Sequence, residues 1–292
     1  MEKKLSSYSA ITSLALRIFK RAKKAFRRLT AGKIRFDDSF GRWETAQVAS
    51  LGYGDPSILA RVLASTKAVL RNEAAFERDG VKFAIHEYSW PVASSLCLAA
   101  AIRKGKLDIL DFGGSLDSTF FQYKPIHDTF QAVDWRIVEQ PIWAATGSAE
   151  IQAKGLSFHE SLEGALVAFK PAIAFMGSSL QYLKEPLDAL TKIALQTASI
   201  LVIDRIPLSY GEARIALQIV PKSIYAGSYP MHIFFLDDLL ATLGTDWELF
   251  ADYASVGGKQ KTTSNFLFEW RGLVFRRKDI TSGQAEAQVF SK

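Results

Sequence analysis

The chain has 292 residues, 48% of them hydrophobic, which is enough for one sizeable domain with a helical extension. Its net charge of +6 is unevenly placed: residues 1–36 hold eleven Lys or Arg and one acidic side chain, and the remainder is net negative. The excess of basic residues is therefore confined to the N-terminal segment. Because the rest of the chain is net negative, a nucleic-acid-binding domain is not indicated.

The first element in chain order is a basic amphipathic helix. Between Ile11 and Leu29 the apolar residues recur at steps of three and four, with Lys and Arg on much of the remaining surface. Two interpretations stay open: the helix lies on an anionic membrane surface, or it packs on its own domain or a second subunit. No apolar run is long enough for a membrane span. We therefore expect a cytoplasmic protein, with peripheral contact at the inner membrane face through residues 11–29 under the first interpretation.

Residues 37–106 have the pattern of a helical cap. Asp55 followed by Pro56 is a good helix start, because the carboxylate accepts free amide protons and proline suits the first helical position. A further helix is expected over residues 91–104. The single cysteine, Cys97, lies in its apolar stretch, so it forms no internal disulfide and we expect it to be buried.

After residue 106 the pattern changes to short apolar runs separated by helical stretches. Such strands alternating with helices indicate a parallel sheet covered on both faces. We therefore predict a Rossmann-like α/β domain over 107–278, ending in an antiparallel hairpin around Arg271 and Gly272, with a loose tail at 279–292. The predicted strands cover residues 107–112, 132–138, 156–158, 172–176, 199–203, 247–253, 264–270 and 273–276.

The most informative stretch runs from the first of these strands into a glycine pair. Asp111 stands near the end of the strand, and Gly113 and Gly114 let the backbone turn tightly and approach a ligand closely. The helix that follows would offer free amide groups. An ordinary strand-to-helix turn is the alternative interpretation.

An acidic residue follows one strand–helix unit later. Glu139 comes at the end of the second predicted strand, 25 residues after Gly114. In nucleotide-type sites, an acidic side chain roughly 20 residues beyond the glycine turn accepts hydrogen bonds from ribose hydroxyls. Because the turn and the glutamate occur together, a nucleotide-type binding site is favoured over an ordinary turn and an unrelated surface glutamate.

Four segments are similar, in the same order, to successive motifs of a bacterial methyltransferase family that is often associated with surface-polysaccharide biosynthesis. They are residues 110–116, 138–141, 178–183 and 203–207. The similarity runs from about Trp43 to Phe275, and it includes the upstream segments 52–53 and 76–78. The resemblance implies a class I fold that binds S-adenosylmethionine.

The sequence departs from the family pattern at one position of the loop. Asp117 stands where a third glycine is expected, and it brings an extra carboxylate into the loop. Aspartate tolerates a left-handed backbone better than most residues. The residues that the resemblance assigns to the cofactor are Asp111, Gly113, Gly114, Ser115 and Leu116 near the methionine part, Glu139 and Gln140 at the ribose, His159 and Glu160 near the adenine, and Gly177, Ser178 and Ser179 beside the methyl group.

Candidate catalytic groups follow the later strands. Asp204 and Arg205 form either a base with its orienting partner or a structural ion pair, and Arg205 alone would suit an anionic acceptor. Tyr182 follows the fourth strand. His232 has a pKa suited to proton abstraction near neutrality, although a histidine among aromatic residues is also typical of packing. The four histidines lie far apart, so we predict no metal site.

Three functions remain open at this point. The first is methyl transfer to an oxygen or nitrogen of a small or carbohydrate-like acceptor. The second is a nicotinamide-dependent oxidoreductase or epimerase, because the same glycine turn and acidic residue serve nicotinamide cofactors. The third is a non-catalytic adaptor that keeps the fold. The sequence does not define the acceptor or the oligomeric state.

Overall fold

The computed structural model describes residues 33–52, 56–221 and 227–278; the segment predicted as a basic helix, Asp55 and the predicted tail from residue 279 lie outside them. The strands are β1 (Arg35–Asp37), β2 (Phe76–Arg78), β3 (Val81–Phe83), β4 (Lys106–Phe112), β5 (Ala132–Val138), β6 (Leu156–His159), β7 (Ile173–Gly177), β8 (Ile200–Ser209), β9 (Arg214–Val220), β10 (Gly227–Phe235), β11 (Trp247–Lys261) and β12 (Leu267–Arg277). The helices are α1 (Trp43–Val48), α2 (Pro56–Leu70), α3 (Trp90–Ile102), α4 (Ser118–His127), α5 (Pro141–Glu150), α6 (Leu162–Ala165), α7 (Pro186–Gln196) and α8 (Leu236–Leu243), with short 3₁₀ turns at Leu180–Tyr182 and Gly244–Asp246.

Five parallel strands form the centre of the main sheet, in the order β6-β5-β4-β7-β8. The order reverses between β4 and β7, because the chain adds β5 and β6 on one side of β4 and then β7 and β8 on the other. On its far edge, β8 pairs antiparallel with β12, and β12 pairs with β11. The predicted fold class is confirmed: a mostly parallel, Rossmann-like sheet that ends in an antiparallel hairpin.

The central strands are covered on both faces, as their continuous apolar runs predict. One core cluster includes Phe120 and Trp135, and a separate cluster includes Leu110 and Met176. All four side chains are buried. Burying each such side chain contributes about 1.5–3 kcal/mol, so the two layers hold the carboxyl ends of the strands in fixed positions.

Three strands that the sequence analysis did not predict extend the sheet. β10 pairs with β8 at Leu208 and Ser209, beyond the point where β7 ends opposite Asp204. β9 pairs with β10, and β1 pairs with β9. A domain boundary after residue 36 would cut through β1, whose Phe36 is buried against Trp270.

The C-terminal hairpin differs from the prediction at its turn. β12 continues through Gly272, and the turn lies at residues 262–266. Gly272 is required inside the strand, because a Cβ there would come within 2.0 Å of Cζ of Tyr253. The prediction of a turn at Arg271 and Gly272 was therefore wrong; the glycine makes room for an aromatic ring.

Gly272→Ala is expected to lower the free energy of unfolding by about 1–3 kcal/mol, because the added methyl group overpacks the site and displaces the Tyr253 ring. Denaturant unfolding measures the loss. The double variant Gly272→Ala with Tyr253→Leu should lose less than the sum of the single variants. Fully additive losses would show that the contact with the ring is not the cause.

The expected helical cap contains helices α1, α2 and α3, together with a two-stranded hairpin, β2–β3, between the last two. Cys97 was expected to be buried, but its side chain is exposed, because α3 packs through Leu96, Ala99 and Ala100 instead. Of the helices that the structure describes, none has the length and apolarity needed to cross a membrane.

Candidate functional site

A cavity of about 1210 Å³ opens at the carboxyl ends of the central strands. It lies where the strand order reverses, between β4 and β7, which is the position where open α/β sheets bind ligands. The walls come from the segments after β4, β5, β6 and β7, from Arg205 in β8, from α1 and the β2–β3 hairpin, and from β9, β10 and β12. Most small-molecule pockets measure roughly 300–1,000 Å³. This cavity therefore has room for two ligands side by side.

Both glycines of the turn after β4 are required by close contacts. Gly113 has a φ of +76°, and a Cβ there would lie 2.4 Å from Cβ of Ser179. A Cβ on Gly114 would lie 2.8 Å from Cγ of Asp111. The Ser179 hydroxyl donates to the carbonyl of Phe112 at 2.7 Å, which joins the ends of β4 and β7. Glycine at both positions therefore lets the turn pack closely on Ser179 and Asp111 at the cavity wall.

Two further left-handed residues complete the turn, Ser115 with φ +58° and Asp117 with φ +86°. Asp117 thus adopts the backbone conformation that a glycine would favour. Its side chain is fully buried and does not line the cavity. Burial raises the pKa of Asp117 well above its usual value, and the charge of Asp111 raises it further, which favours the uncharged form. Leu116, assigned to the cofactor by resemblance, is also fully buried in the core.

Glu139 ties the end of β5 to the glycine turn. Its Oε1 accepts the backbone N–H of Ser115 at 3.1 Å, and its Oε2 accepts that of Gln140 at 2.8 Å. The carboxylate lines the cavity, and each oxygen keeps a lone pair for a ligand. Burial raises the pKa of Glu139, and the two amide hydrogen bonds oppose that rise. Gln140 lines the same wall with an exposed side chain.

Asp111 lies beneath the glycine turn, where its carboxyl group is fully buried. Its Oδ2 accepts the indole N–H of Trp135 at 3.2 Å, and its Oδ1 has no hydrogen-bond partner among the described residues. Burial raises the pKa of Asp111 to about 7; the charge of Glu139 adds to the rise, and that of Arg205 opposes it. A buried carboxyl with one unpartnered oxygen at the cavity wall suits an N–H donor or a cation on a ligand.

The segments after β6 and β7 form two opposite walls. Glu160 lines the cavity, but His159 does not, because its Nε2 bonds with the Ser157 hydroxyl at 2.9 Å. Residues 177–179 line the wall that faces the glycine turn. The structure therefore brings together the predicted groups from β4, β5, β6 and β7, with the exception of Leu116 and His159.

Two of the four predicted catalytic residues line the cavity. The Tyr182 hydroxyl donates to Oε1 of Gln218 at 2.9 Å, and Arg205 lies opposite the end of β7. Asp204 lies behind the wall, where its Oδ1 accepts the Tyr253 hydroxyl at 3.0 Å. The carboxyl group of Asp204 therefore does not reach the cavity itself.

His232 lies outside the cavity wall. Its ring stacks on Trp43 with the ring centroids 4.8 Å apart, and Phe234 stacks at 5.8 Å. Burial lowers the pKa of His232, which favours the neutral ring. This environment favours the packing interpretation over proton abstraction.

Two charged residues of the β2–β3 hairpin had no role in the sequence analysis. Glu77 accepts the Ser118 hydroxyl and the N–H of Gly80, which docks the hairpin on the first turn of α4. Burial raises the pKa of Glu77 to about 7. Arg78 lines the cavity. In the sequence, these two residues stood out only as part of the similar segment 76–78. That similarity does not indicate which groups they contact.

Within the described ranges, no group of three or more His, Cys, Asp or Glu side chains is arranged to hold a metal ion. The candidate site is therefore one of backbone amides, carboxyl groups, guanidinium groups and aromatic rings.

No protein-family profile matches the chain, and no curated protein matches it. Magnesium protoporphyrin IX methyltransferase from Synechocystis PCC 6803, solved with bound S-adenosylmethionine, is similar at 13% identity over 64% of this chain and 77% of that chain, with a TM-score of 0.41. An amino pentose methyltransferase from Micromonospora echinaspora is similar at 13% identity over 73% and 96%, with a TM-score of 0.42. The N-terminal domain of EvdMO1, solved with S-adenosylhomocysteine and D-fucose, is similar at 13% identity over 76% and 97%, with a TM-score of 0.44. These scores are low, and function has to be inferred from the cavity itself.

Proposed function

We propose that the chain binds S-adenosylmethionine in this cavity and transfers its methyl group to an oxygen or nitrogen of a small, carbohydrate-like acceptor. One observation carries the proposal: the Glu139 carboxylate and the glycine turn are hydrogen-bonded to each other through the Ser115 amide and border the same open cavity. A ligand that joins a ribose to a short polar chain fits such a wall.

The residues present fit the cofactor. Gly113 and Gly114 let the turn lie at the cavity wall in close contact with Ser179 and Asp111, and Asp111 offers a buried, unpartnered oxygen. Glu139 would hold the ribose and Glu160 would border the adenine, as the resemblance implies. When bound, S-adenosylmethionine supplies an activated methyl group on a sulfonium.

The other half of the cavity is suited to an acceptor with sugar chemistry. Aromatic faces pack against the C–H face of a sugar ring, and amide side chains both donate to and accept from hydroxyl groups. Such a wall aligns the acceptor atom and excludes water, which methyl transfer requires. The side chains that supply it are Trp43, Tyr182, Tyr229 and Trp270, together with Gln47, Gln218 and Gln260.

Among the predicted catalytic residues, we assign contact with the acceptor to Tyr182 and Arg205, because both line the cavity. Asp204 acts as a positioning residue through its hydrogen bond from Tyr253. His232 supports Trp43 in the wall. A polysaccharide precursor is an acceptor of the proposed class.

A thermal-shift experiment tests the proposed cofactor. S-adenosylhomocysteine at 100 times its Kd should stabilise the folded chain by about 2.7 kcal/mol, which raises Tm by several degrees, whereas NAD and NADP should not. A rise with a nicotinamide dinucleotide alone would favour the oxidoreductase or epimerase. No rise with any of these ligands would favour the non-catalytic adaptor.

Binding of S-adenosylhomocysteine is expected to weaken as the pH falls below about 7. The pKa of Asp111 is about 7 without ligand, and the ammonium group of the ligand favours the carboxylate form and lowers that pKa. The affinity contributed by Asp111 is therefore present above pH 7 and is lost, by up to about tenfold per pH unit, at lower pH. Calorimetry between pH 5.5 and 8 measures the slope. Asp111→Asn should bind more weakly with a flatter profile, and an unchanged profile would exclude Asp111 as the group responsible.

We also propose that residues 11–29, which the sequence pattern predicts to form a basic helix, contact an anionic membrane surface; the charge pattern of the sequence supports this. Pelleting with vesicles that contain anionic lipid tests it. A full-length variant with Lys20, Arg21, Lys23 and Lys24 replaced by Gln should pellet less than the wild type, and equal pelleting would contradict membrane contact.

A further inference from the structure

We propose that Arg78 and Arg205 form an anion clamp in the acceptor half of the cavity, and that the methyl acceptor carries a carboxylate or phosphate group that binds there. The inference rests on the proposed function and deepens it, because it specifies that the acceptor is negatively charged.

Arg78 supplies the first half of the anion clamp. Its guanidinium group lies over the rings of Phe76 and Phe83, with centroid distances of 5.6 and 5.7 Å, and it lines the cavity. It forms no hydrogen bond or ion pair with the residues that the structure describes. A guanidinium group carries five N–H donors, and Arg78 is partly exposed at the cavity. The donors of Arg78 are thus available to a ligand in the cavity.

Arg205 supplies the second half, and its backbone is held in an unusual conformation. It has a φ of +54° within β8, in the gap between the end of β7 and the first residue that pairs with β10. Its Nη2 donates to the carbonyl of Gly177 at 3.2 Å, but its buried Nε has no hydrogen-bond partner among the described residues. Non-glycine residues in the left-handed region are found at ligand sites, where the surrounding structure holds them.

Arg78 and Arg205 carry like charges that oppose each other. Burial lowers the pKa of Arg78, and the positive charge of Arg205 lowers it further. Asp204 compensates Arg205 only in part, because its Oδ2 lies 3.6 Å from Nε. A carboxylate or phosphate between the two groups would remove this repulsion and accept paired N–H donors from each.

Arg205 lies away from the proposed ribose and adenine positions and beside the aromatic acceptor wall, which supports the acceptor as the source of the anion. Glu139 follows β5 and Arg205 lies in β8, three strands away, which corresponds to about 14 Å across the sheet. Glu139 and Glu160 border the opposite end of the cavity. Arg205 instead lies next to the strands that carry Tyr229 and Trp270, in the aromatic acceptor wall.

Calorimetric titration of the chain saturated with S-adenosylhomocysteine tests the clamp, with pyrophosphate and D-glucuronate as probes and D-glucose as the uncharged reference, all at constant ionic strength. We expect at least one anion to bind the wild type, and D-glucose to bind more weakly. Arg78→Gln and Arg205→Gln should each weaken anion binding by about tenfold or more. Arg71→Gln is the matched control, because Arg71 is exposed and pairs with Glu73 away from the cavity.

Two further ligands separate the acceptor from the cofactor. Both clamp variants should bind S-adenosylhomocysteine and 5′-methylthioadenosine as the wild type does, which also shows that they fold. A tenfold loss for S-adenosylhomocysteine without a loss for methylthioadenosine would assign the clamp to the cofactor's carboxylate and overturn the proposal. Absence of anion binding by the wild type, or equal binding by the variants, would overturn it as well. If the wild type fails to bind S-adenosylhomocysteine, the proposed function fails, and the same titrations of the free chain decide whether the clamp exists.

Discussion

Glu139→Gln is expected to weaken the binding of S-adenosylhomocysteine by about tenfold to a hundredfold. Hydrogen bonds to a charged group contribute about 1.5–3 kcal/mol, and each 1.4 kcal/mol corresponds to a factor of ten in Kd. The amide keeps the shape of the side chain, but its NH2 group would have to face the backbone N–H of Ser115 or of Gln140, both of which now donate to the carboxylate. Isothermal titration calorimetry measures the change.

Glu150→Gln is the control for this variant, because Glu150 pairs with Lys67 at 2.7 Å, is partly exposed, and does not line the cavity. It should bind S-adenosylhomocysteine with wild-type affinity. Denaturant unfolding of the Glu139 variant separates a loss of binding from a loss of structure. Wild-type affinity in a folded Glu139→Gln protein would contradict the assignment of Glu139 to the ribose.

Gly113→Ala is expected to weaken binding of S-adenosylhomocysteine by more than tenfold and to lower the free energy of unfolding by about 1–3 kcal/mol. The new methyl group would lie 2.4 Å from Cβ of Ser179, and a φ of +76° is strained for any residue with a Cβ. Movement of the turn to relieve this contact would separate the backbone from the ligand. Calorimetry and denaturant unfolding measure the two losses.

Gly211→Ala provides the control for Gly113→Ala, because nothing lies within 4 Å of the position that its methyl group would take and its φ is not in the left-handed region. This control should leave both quantities close to wild type. The additional change Ser179→Gly should restore part of the stability lost in Gly113→Ala, since it removes the atom that the methyl group meets. Unchanged ligand affinity in Gly113→Ala would show that the turn does not border the ligand.

The sequence was sufficient to predict that the glycine turn and Glu139 lie close together at the strand ends, because their signals are local. A buried strand, a glycine pair and an acidic residue at the next strand end follow each other within a single strand–helix–strand unit. The residue type also indicated that Asp117 tolerates a left-handed backbone, and its φ of +86° lies in that region. The fold class followed from the repeated alternation of apolar strands and helices.

Features that depend on distant pairing were not predicted. β1 is three residues long and is defined by its contact with β9, which follows more than 170 residues later. A glycine in the sequence is consistent with a turn and also with a strand position that makes room for a neighbouring side chain. For Gly272, only its packing against Tyr253 in the structure distinguishes these two possibilities. His232 and Arg78 show the same limit, because residue type does not reveal whether a side chain is stacked in the core or borders a cavity.

A crystal structure of the chain with S-adenosylhomocysteine tests the central claim most directly. We expect electron density for the ligand at the switch between β4 and β7, with the ribose hydroxyls within hydrogen-bond distance of Glu139 and the amino-acid part against residues 113–115. The sulfur should face Gly177 and the acceptor wall. Density elsewhere on the molecule, or a ligand in this cavity that leaves Glu139 without contact, would contradict the account.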